Sequence, residues 1–219
     1  MSATPARSKV VVFISGSGSN MMALANACQA QDFPAEIACV ISDKATAGGL
    51  AKAQTLGIPT LVFERKTYAS KAEHEASILA ALSEIAPDII CLAGYMRLIS
   101  GDFIAPYAGR IINIHPSLLP LFPGLHTHER AIESGMKITG CTVHFVTEGM
   151  DEGPVIGQAA VPVLADDDAD ALAARVLTVE HQLYPLALKL LAEGKVRMDG
   201  GKAHRSEDAC DVGQQLISA

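Results

Sequence analysis

The chain has 219 residues, 49% of them hydrophobic and 19% charged. This is a globular composition, and the length suits one domain with a sizeable core or at most two small ones. Its 17 basic and 24 acidic side chains leave a formal charge of -7, which gives no general help in holding nucleic-acid phosphates and argues against a nucleic-acid binder.

The elements alternate. Residues 9–14 (KVVVFI) form a short β-branched run that stops at a glycine-serine stretch, and residues 20–31 follow as a helix. Residues 37–41 read as a second strand. Residues 46–56 are alanine-rich and helical despite Gly48 and Gly49, and residues 60–63 are a third strand. A longer helix over 68–86 is closed by Pro87. Residues 88–93 (DIICLA) are nearly all apolar, as a strand covered on both faces should be, and 110–114 repeat that character. This rhythm predicts an α/β fold, a Rossmann-like open and mostly parallel twisted sheet flanked by helices.

The second half is less regular. Residues 126–134 read as a helix capped by Gly135, while 139–146 and 154–163 read as strands. Residues 169–192 carry Leu172, Val176, Val179, Leu183, Leu186 and Leu190 at steps of three or four, one apolar stripe of a long helix that Pro185 is expected to bend. Asp166, Asp167 and Asp168 stand where acidic side chains favour a helix start. The polar stretch from Gly200 onward is expected to be loose. No run of about 18 apolar residues occurs, so no transmembrane helix is expected. The opening MSATPARSK lacks the apolar core of a signal peptide. Cys28, Cys39, Cys91, Cys141 and Cys210 are odd in number and include no C-x-x-C pair. They point to reduced cytoplasmic thiols rather than a disulfide scaffold or a thiolate zinc site.

Ser15-Gly16-Ser17-Gly18-Ser19-Asn20 links the first strand to the first helix. Successive amides and a helix N-terminus can hold an anion there. A dinucleotide fingerprint would need glycine where Met21 stands, and a P-loop would need G-K-[ST]. A tight turn with a Ser or Asn cap is the plain alternative. No lysine is near in sequence, so anion binding would rest on amides and short polar groups.

In residues 110–116 (RIINIHP), alternation puts Asn113 and His115 on one face at the carboxyl end of a strand, where open α/β sheets bind ligands. An Asn can donate to an oxyanion, and a His can carry a proton near neutral pH. The competing reading is an Asn and a His that satisfy loop carbonyls. Asp151, in a polar loop between two strands, could orient His115 and favour its charged form, with Glu148 and Glu152 as rivals. His126, His128 and His144 suggest a metal only weakly, because alternate residues at a helix start do not face one another. No G-x-S-x-G elbow is present.

Residues 112–120 (INIHPSLLP), followed by 123–128 (PGLHTH), resemble the phosphoribosylglycinamide formyltransferases of the folate-dependent formyltransferase family. Residues 14–20 (ISGSGSN), 92–100 (LAGYMRLIS), 140–147 (GCTVHFVT) and 151–156 (DEGPVI) support the resemblance, which covers about residues 9–198. It implies a single formyltransferase domain over 9–199, a flexible segment over 1–8 and a tail over 200–219. It also implies transfer of formyl from 10-formyltetrahydrofolate to the amine of glycinamide ribonucleotide, in de novo purine synthesis. Asn113, His115 and Asp151 would be the catalytic three. Gly18, Ser19 and Asn20 would bind the substrate phosphate, and Glu180 its ribose. The folate would meet Met96, Arg97, Leu98 and Ile99 and the loop of Val146, Thr147, Glu148, Gly149 and Met150, with Arg97 on its glutamate tail. Leu121 stands where relatives often have a basic residue, and Glu152 where a small one is common.

The resemblance further implies a cytoplasmic monomer or homodimer that handles small molecules and needs no metal, nucleic acid or membrane. Two related activities share the Asn-His-Asp set. Formyltetrahydrofolate hydrolases carry an extra N-terminal domain and methionyl-tRNA formyltransferases an extra C-terminal one, so the length here disfavours both. A non-catalytic folate- or nucleotide-binding regulator is the remaining rival, and retention of the three polar residues argues against it.

Overall fold

The computed structural model describes residues 6–206. The outer parts of the expected segments 1–8 and 200–219, Cys210 among them, lie outside the described residues. The chain divides between Ile112 and Asn113 into two compact units.

In the first unit, β1 (Ser8–Ile14), β2 (Ala35–Ser42), β3 (Thr60–Val62) and β4 (Ile89–Leu92) lie in the order β3-β2-β1-β4, with β1 parallel to β2 and β4 and β2 parallel to β3. Val10, Val11, Val12, Phe13 and Ile14 have no exposed surface. A strand covered on both faces cannot use polar alternation, which is why this run is continuously apolar. The unit's helices are α1 (Ser19–Cys28), α2 (Gly48–Thr55), α3 (Lys71–Ile85) and the short α4 (Gly101–Ile104). α3 starts later than the sequence suggests because Ser70 caps it, its hydroxyl accepting from the Glu73 amide at 3.1 Å. It ends at Ala86, whose left-handed backbone (φ 52°) precedes Pro87.

β5 (Ile111–His115) begins in the first unit and ends in the second, which holds β6 (Ile138–Phe145) and β7 (Val155–Pro162). β6 and β7 are antiparallel. The second unit also holds α5 (Thr127–Glu133) and α6 (Ala169–Ala192), which packs on β6 and β7 through Leu172, Val176, Leu183, Tyr184 and Leu188. Each of these buried side chains contributes about 1.5–3 kcal/mol from water exclusion. Asp168 caps α6 by accepting from the Ala171 amide at 2.8 Å, and Asp167 receives both Arg175 nitrogens at 2.6 and 2.7 Å. The helix continues through Pro185.

The polar stretch from Gly200, expected to be loose, begins instead with the turn and second strand of a hairpin of β8 (Val196–Asp199) and β9 (Lys202–Arg205). Gly200 and Gly201 join them with φ of 54° and 75°, the two consecutive left-handed positions that a tight two-residue hairpin turn requires. Cys28, Cys39, Cys91 and Cys141 are buried. Burial pushes the Cys28 and Cys39 thiols up to about 11 and that of Cys141 up to about 12, with the Glu180 charge adding to the last.

Candidate active site

Between β1 and β4 the strand order reverses direction, the switch point where open α/β sheets bind ligands. The loops that leave these two strands meet: the Ser15 amide donates to the Gly94 carbonyl at 3.1 Å. Gly18 caps α1 in a left-handed conformation (φ 72°) and contributes no side chain to the helix start. A Cβ on Gly18 would sit 2.7 Å from the Gly49 Cα, and the Gly49 amide donates to the Gly16 carbonyl at 3.1 Å. The glycines of α2 therefore let that helix press against the loop of residues 15–20. α2 also delivers a cation, for Lys52 Nζ donates to the Ser17 carbonyl at 2.9 Å. The sequence reading missed this lysine because it lies a whole strand away along the chain. Ser17 is exposed, Ser19 half-buried and Asn20 buried.

The loop after β4 exposes Met96 and Leu98 (61% and 63%) with Ile99 half-buried. Its backbone is tied down, since the Met96 amide donates to Ser15 Oγ at 2.9 Å. Arg97 Nε donates to Asp43 Oδ2 at 2.7 Å, and Ser15 Oγ donates to Asp43 Oδ1 at 2.6 Å. Sequence reasoning did not single out Asp43.

In the second unit, Asn113 and His115 project from β5 one pleat apart, His115 only 6% exposed. His144 Nδ1–H donates to the Phe145 carbonyl at 2.9 Å, which makes Nε2 the acceptor of the neutral ring. Asn113 Nδ2 lies 3.2 Å from that Nε2 and must therefore donate to it. Burial holds the His144 pKa below its ordinary value, with the nearby His115 acting in the same direction. The pair is thus a directed hydrogen bond that leaves a second Nδ2 hydrogen for a ligand oxygen.

His115 Nε2–H donates to the Phe122 carbonyl at 3.0 Å, and Nδ1 faces Asp151 Oδ2 at 3.4 Å. Asp151 Oδ2 also accepts from the Gly124 amide at 2.8 Å. Phe122 and Asp151 both have left-handed backbones (φ 54° and 56°), uncommon for residues with a side chain and a recurrent feature of functional sites. The carbonyl and the carboxylate that hold His115 are both presented by these loops. Ser117 Oγ steadies the first by donating to the Leu121 carbonyl at 2.6 Å and the Phe122 carbonyl at 3.2 Å.

Of the three acidic residues in the loop after β6, Asp151 is the one against His115, while Glu148 and Glu152 are exposed. In that loop Val146 is buried, Thr147 and Gly149 half-buried and Met150 exposed. Glu180 is buried on α6, its charge felt by Cys141 on β6. His126 is exposed and faces Glu129 at 3.4 Å, whereas His144 serves Asn113. Among the described residues no group of three or more His, Cys, Asp or Glu side chains could hold a metal ion.

Residues 8–188 match the family model described as formyl transferase. The chain belongs to that family. It is 45% identical over 189 residues to the phosphoribosylglycinamide formyltransferase of Escherichia coli (strain K12), a match covering 86% of this chain and 89% of that one. The crystal structure of phosphoribosylglycinamide formyltransferase from Brucella melitensis is 62% identical, with a TM-score of 0.85 over 97% of this chain and 100% of that one. The trifunctional purine biosynthetic protein adenosine-3 of Bos taurus is 46% identical over 197 residues, and there the match spans 90% of this chain but 20% of the relative.

Proposed function

We propose that the chain transfers the formyl group of 10-formyltetrahydrofolate to the amine of glycinamide ribonucleotide, giving N-formylglycinamide ribonucleotide and tetrahydrofolate in de novo purine synthesis. The observation that carries the chemistry is the assembly of Asn113, His115 and Asp151 with oriented donors. The choice of substrates rests on the relatives named phosphoribosylglycinamide formyltransferase, nearly the full length of which this chain matches.

The amine attacks the formyl carbon, and negative charge develops on the formyl oxygen. The free Nδ2 hydrogen of Asn113 and the ring of His115 stabilise that oxygen. Asp151 holds the His115 ring in its orientation. The proton lost by the amine ends on N10 of the departing folate, by way of water. Each fixed donor to such an oxygen contributes roughly 3–4 kcal/mol in comparable acyl transfers.

Gly18, Ser19 and Asn20 take the phosphate at the start of α1, with the Lys52 ammonium as added positive charge. Glu180 takes ribose hydroxyls. Met96, Arg97, Leu98 and Ile99, and the loop from Val146 to Met150, take the folate. The exposed apolar side chains of Met96 and Leu98 beside the Arg97 donors suit a ligand with a flat ring and an acidic tail. We place this chemistry in the cytoplasm, in a monomer or homodimer that acts without a metal. Among the described residues no helix is long and apolar enough to cross a membrane.

The test is an assay of the purified protein with both substrates, products separated by chromatography. Formylated ribonucleotide is the expected product. Free formate alone would replace this reading with hydrolysis, and no turnover with retained ligand binding would replace it with a binding protein.

A further inference from the structure

Asp43 is a carboxylate whose side chain has no exposed surface, 4% for the residue as a whole. A buried charge persists only where partners replace its lost water. Asp43 stands just beyond the end of β2, and its partners come from the ends of two neighbouring strands. Ser15, after β1, donates its hydroxyl to Oδ1. Arg97, in the loop after β4, donates Nε–H to Oδ2. The same Ser15 oxygen accepts the Met96 amide at 2.9 Å. One carboxylate thus fixes both a backbone amide and a side chain of the 94–99 loop.

The use of Nε is informative. A guanidinium carries five N–H donors, and Nε offers one of them. The remaining four stay on the terminal nitrogens, and the Arg97 side chain is 45% exposed. Arg97 is therefore held by its inner nitrogen while its outer fork faces solvent. Its charge is already balanced by Asp43, so it offers a ligand a preset planar fork rather than an unpaired cation. A fork already fixed loses less freedom on binding than a free arginine does.

We infer that Asp43, through Ser15 and Arg97, is the positioning residue of the loop that binds the folate co-substrate. This rests on the functional reading above and adds a residue to it. Asp43 has no exposed side-chain surface of its own to offer a ligand, so its removal should weaken folate binding and leave the chemical step in place. Losing hydrogen bonds to a charged group costs enough to change affinity by about tenfold or more.

The experiment uses the full chain and two probes, 5,10-dideazatetrahydrofolate, which cannot carry the transferable formyl group, and glycinamide ribonucleotide. Affinities are measured by calorimetry for the parent, Asp43→Ala, Asp43→Asn, Arg97→Ala and the Asp43→Ala/Arg97→Ala double variant. Asp43→Ala should bind the folate analogue about tenfold more weakly. Its KM for 10-formyltetrahydrofolate should rise in step, while kcat and ribonucleotide affinity stay within about twofold of the parent. Asp43→Asn should recover most of the loss, because an amide can accept from Arg97 and donate to Ser15. In the double variant, the combined loss should fall short of the product of the two single losses, because part of the Asp43 effect runs through Arg97 and part through Ser15.

Folate affinity unchanged in Asp43→Ala, losses that add in full, or equal loss of both ligands would each overturn the inference. A parent that transfers formyl while Asp43→Ala behaves like it would overturn the inference alone. A parent that neither transfers formyl nor binds the analogue would overturn the functional reading and this role with it.

Discussion

Asn113 donates to His144, and the direction of that bond is fixed by the next residue along β6, where the Phe145 carbonyl claims the other ring nitrogen. The amide of Asn113 can therefore present nitrogen, never oxygen, toward the ring. An amide flip would set an oxygen against a lone pair, so the orientation of the amide is settled before any ligand arrives.

Replacing His144 should loosen that donor. His144→Ala removes the acceptor and should lower kcat by about tenfold or more, with smaller changes in KM. His144→Gln, whose carbonyl oxygen can accept from Asn113, should lose less. Steady-state kinetics on both variants check this, and equal losses in the two would count against orientation as the cause.

Asp151→Asn keeps an oxygen for the Gly124 amide but removes the charge beside His115. The fold should survive while kcat falls by about a hundredfold or more. Turnover combined with thermal unfolding tests this. A variant that melts like the parent and turns over at the parental rate would remove Asp151 from the mechanism.

Burial lowers the pKa of His128, His144 and His181. In the unfolded chain these rings titrate near 6.5, and in the folded protein they resist protonation to lower pH. Below about pH 6.5 the unfolded state therefore binds more protons, and stability falls as pH falls. The contribution of the three neutral rings is fully present above about pH 6.5 and is lost on acidification toward the folded-state values. The melting temperature should drop between about pH 7.5 and 5.5, and His181→Leu should flatten that slope. A slope left unchanged would show that other groups dominate.

The anion loop cannot be tested by enlarging Gly18. A Cβ there would collide with the backbone of Gly49 in a conformation that disfavours any side chain, so Gly18→Val should fail to fold well whatever binds nearby. Lys52→Met is the cleaner probe. It should weaken glycinamide ribonucleotide binding, more so at low salt, and leave the melting temperature nearly unchanged. Calorimetry at two ionic strengths reads this directly, and an unaltered affinity would place Lys52 outside the phosphate site.

Legibility followed locality. The buried run of β1 and the stripe and acidic cap of α6 are written in consecutive residues, and α6 spans the residues expected. Asn113 and His115 stood out because polar residues interrupted an apolar strand at a spacing of two. The glycine-rich loop offers Glu148, Asp151 and Glu152 alike, and only the family resemblance picks out Asp151, because its contact with His115 depends on how two distant segments fold together. His144 was weighed as a metal ligand, because a sequence shows the residue and not the direction of its bonds. Lys52 and Asp43 sat within ordinary-looking stretches, and nothing local marked them. The β8–β9 hairpin escaped notice because its strands are short and polar, although the glycine pair of its turn was visible.

The four core thiols give this protein a built-in clock. A thiol at about 11 is ionised in only about one molecule in ten thousand at neutral pH, and reagents attack the thiolate. Cys28, Cys39, Cys91 and Cys141 are also walled off from solvent in the folded state. An alkylating reagent should therefore wait for the polypeptide to open. Mass spectrometry of each peptide over time would then record the opening frequency of the first unit at Cys28, Cys39 and Cys91, and of the second at Cys141.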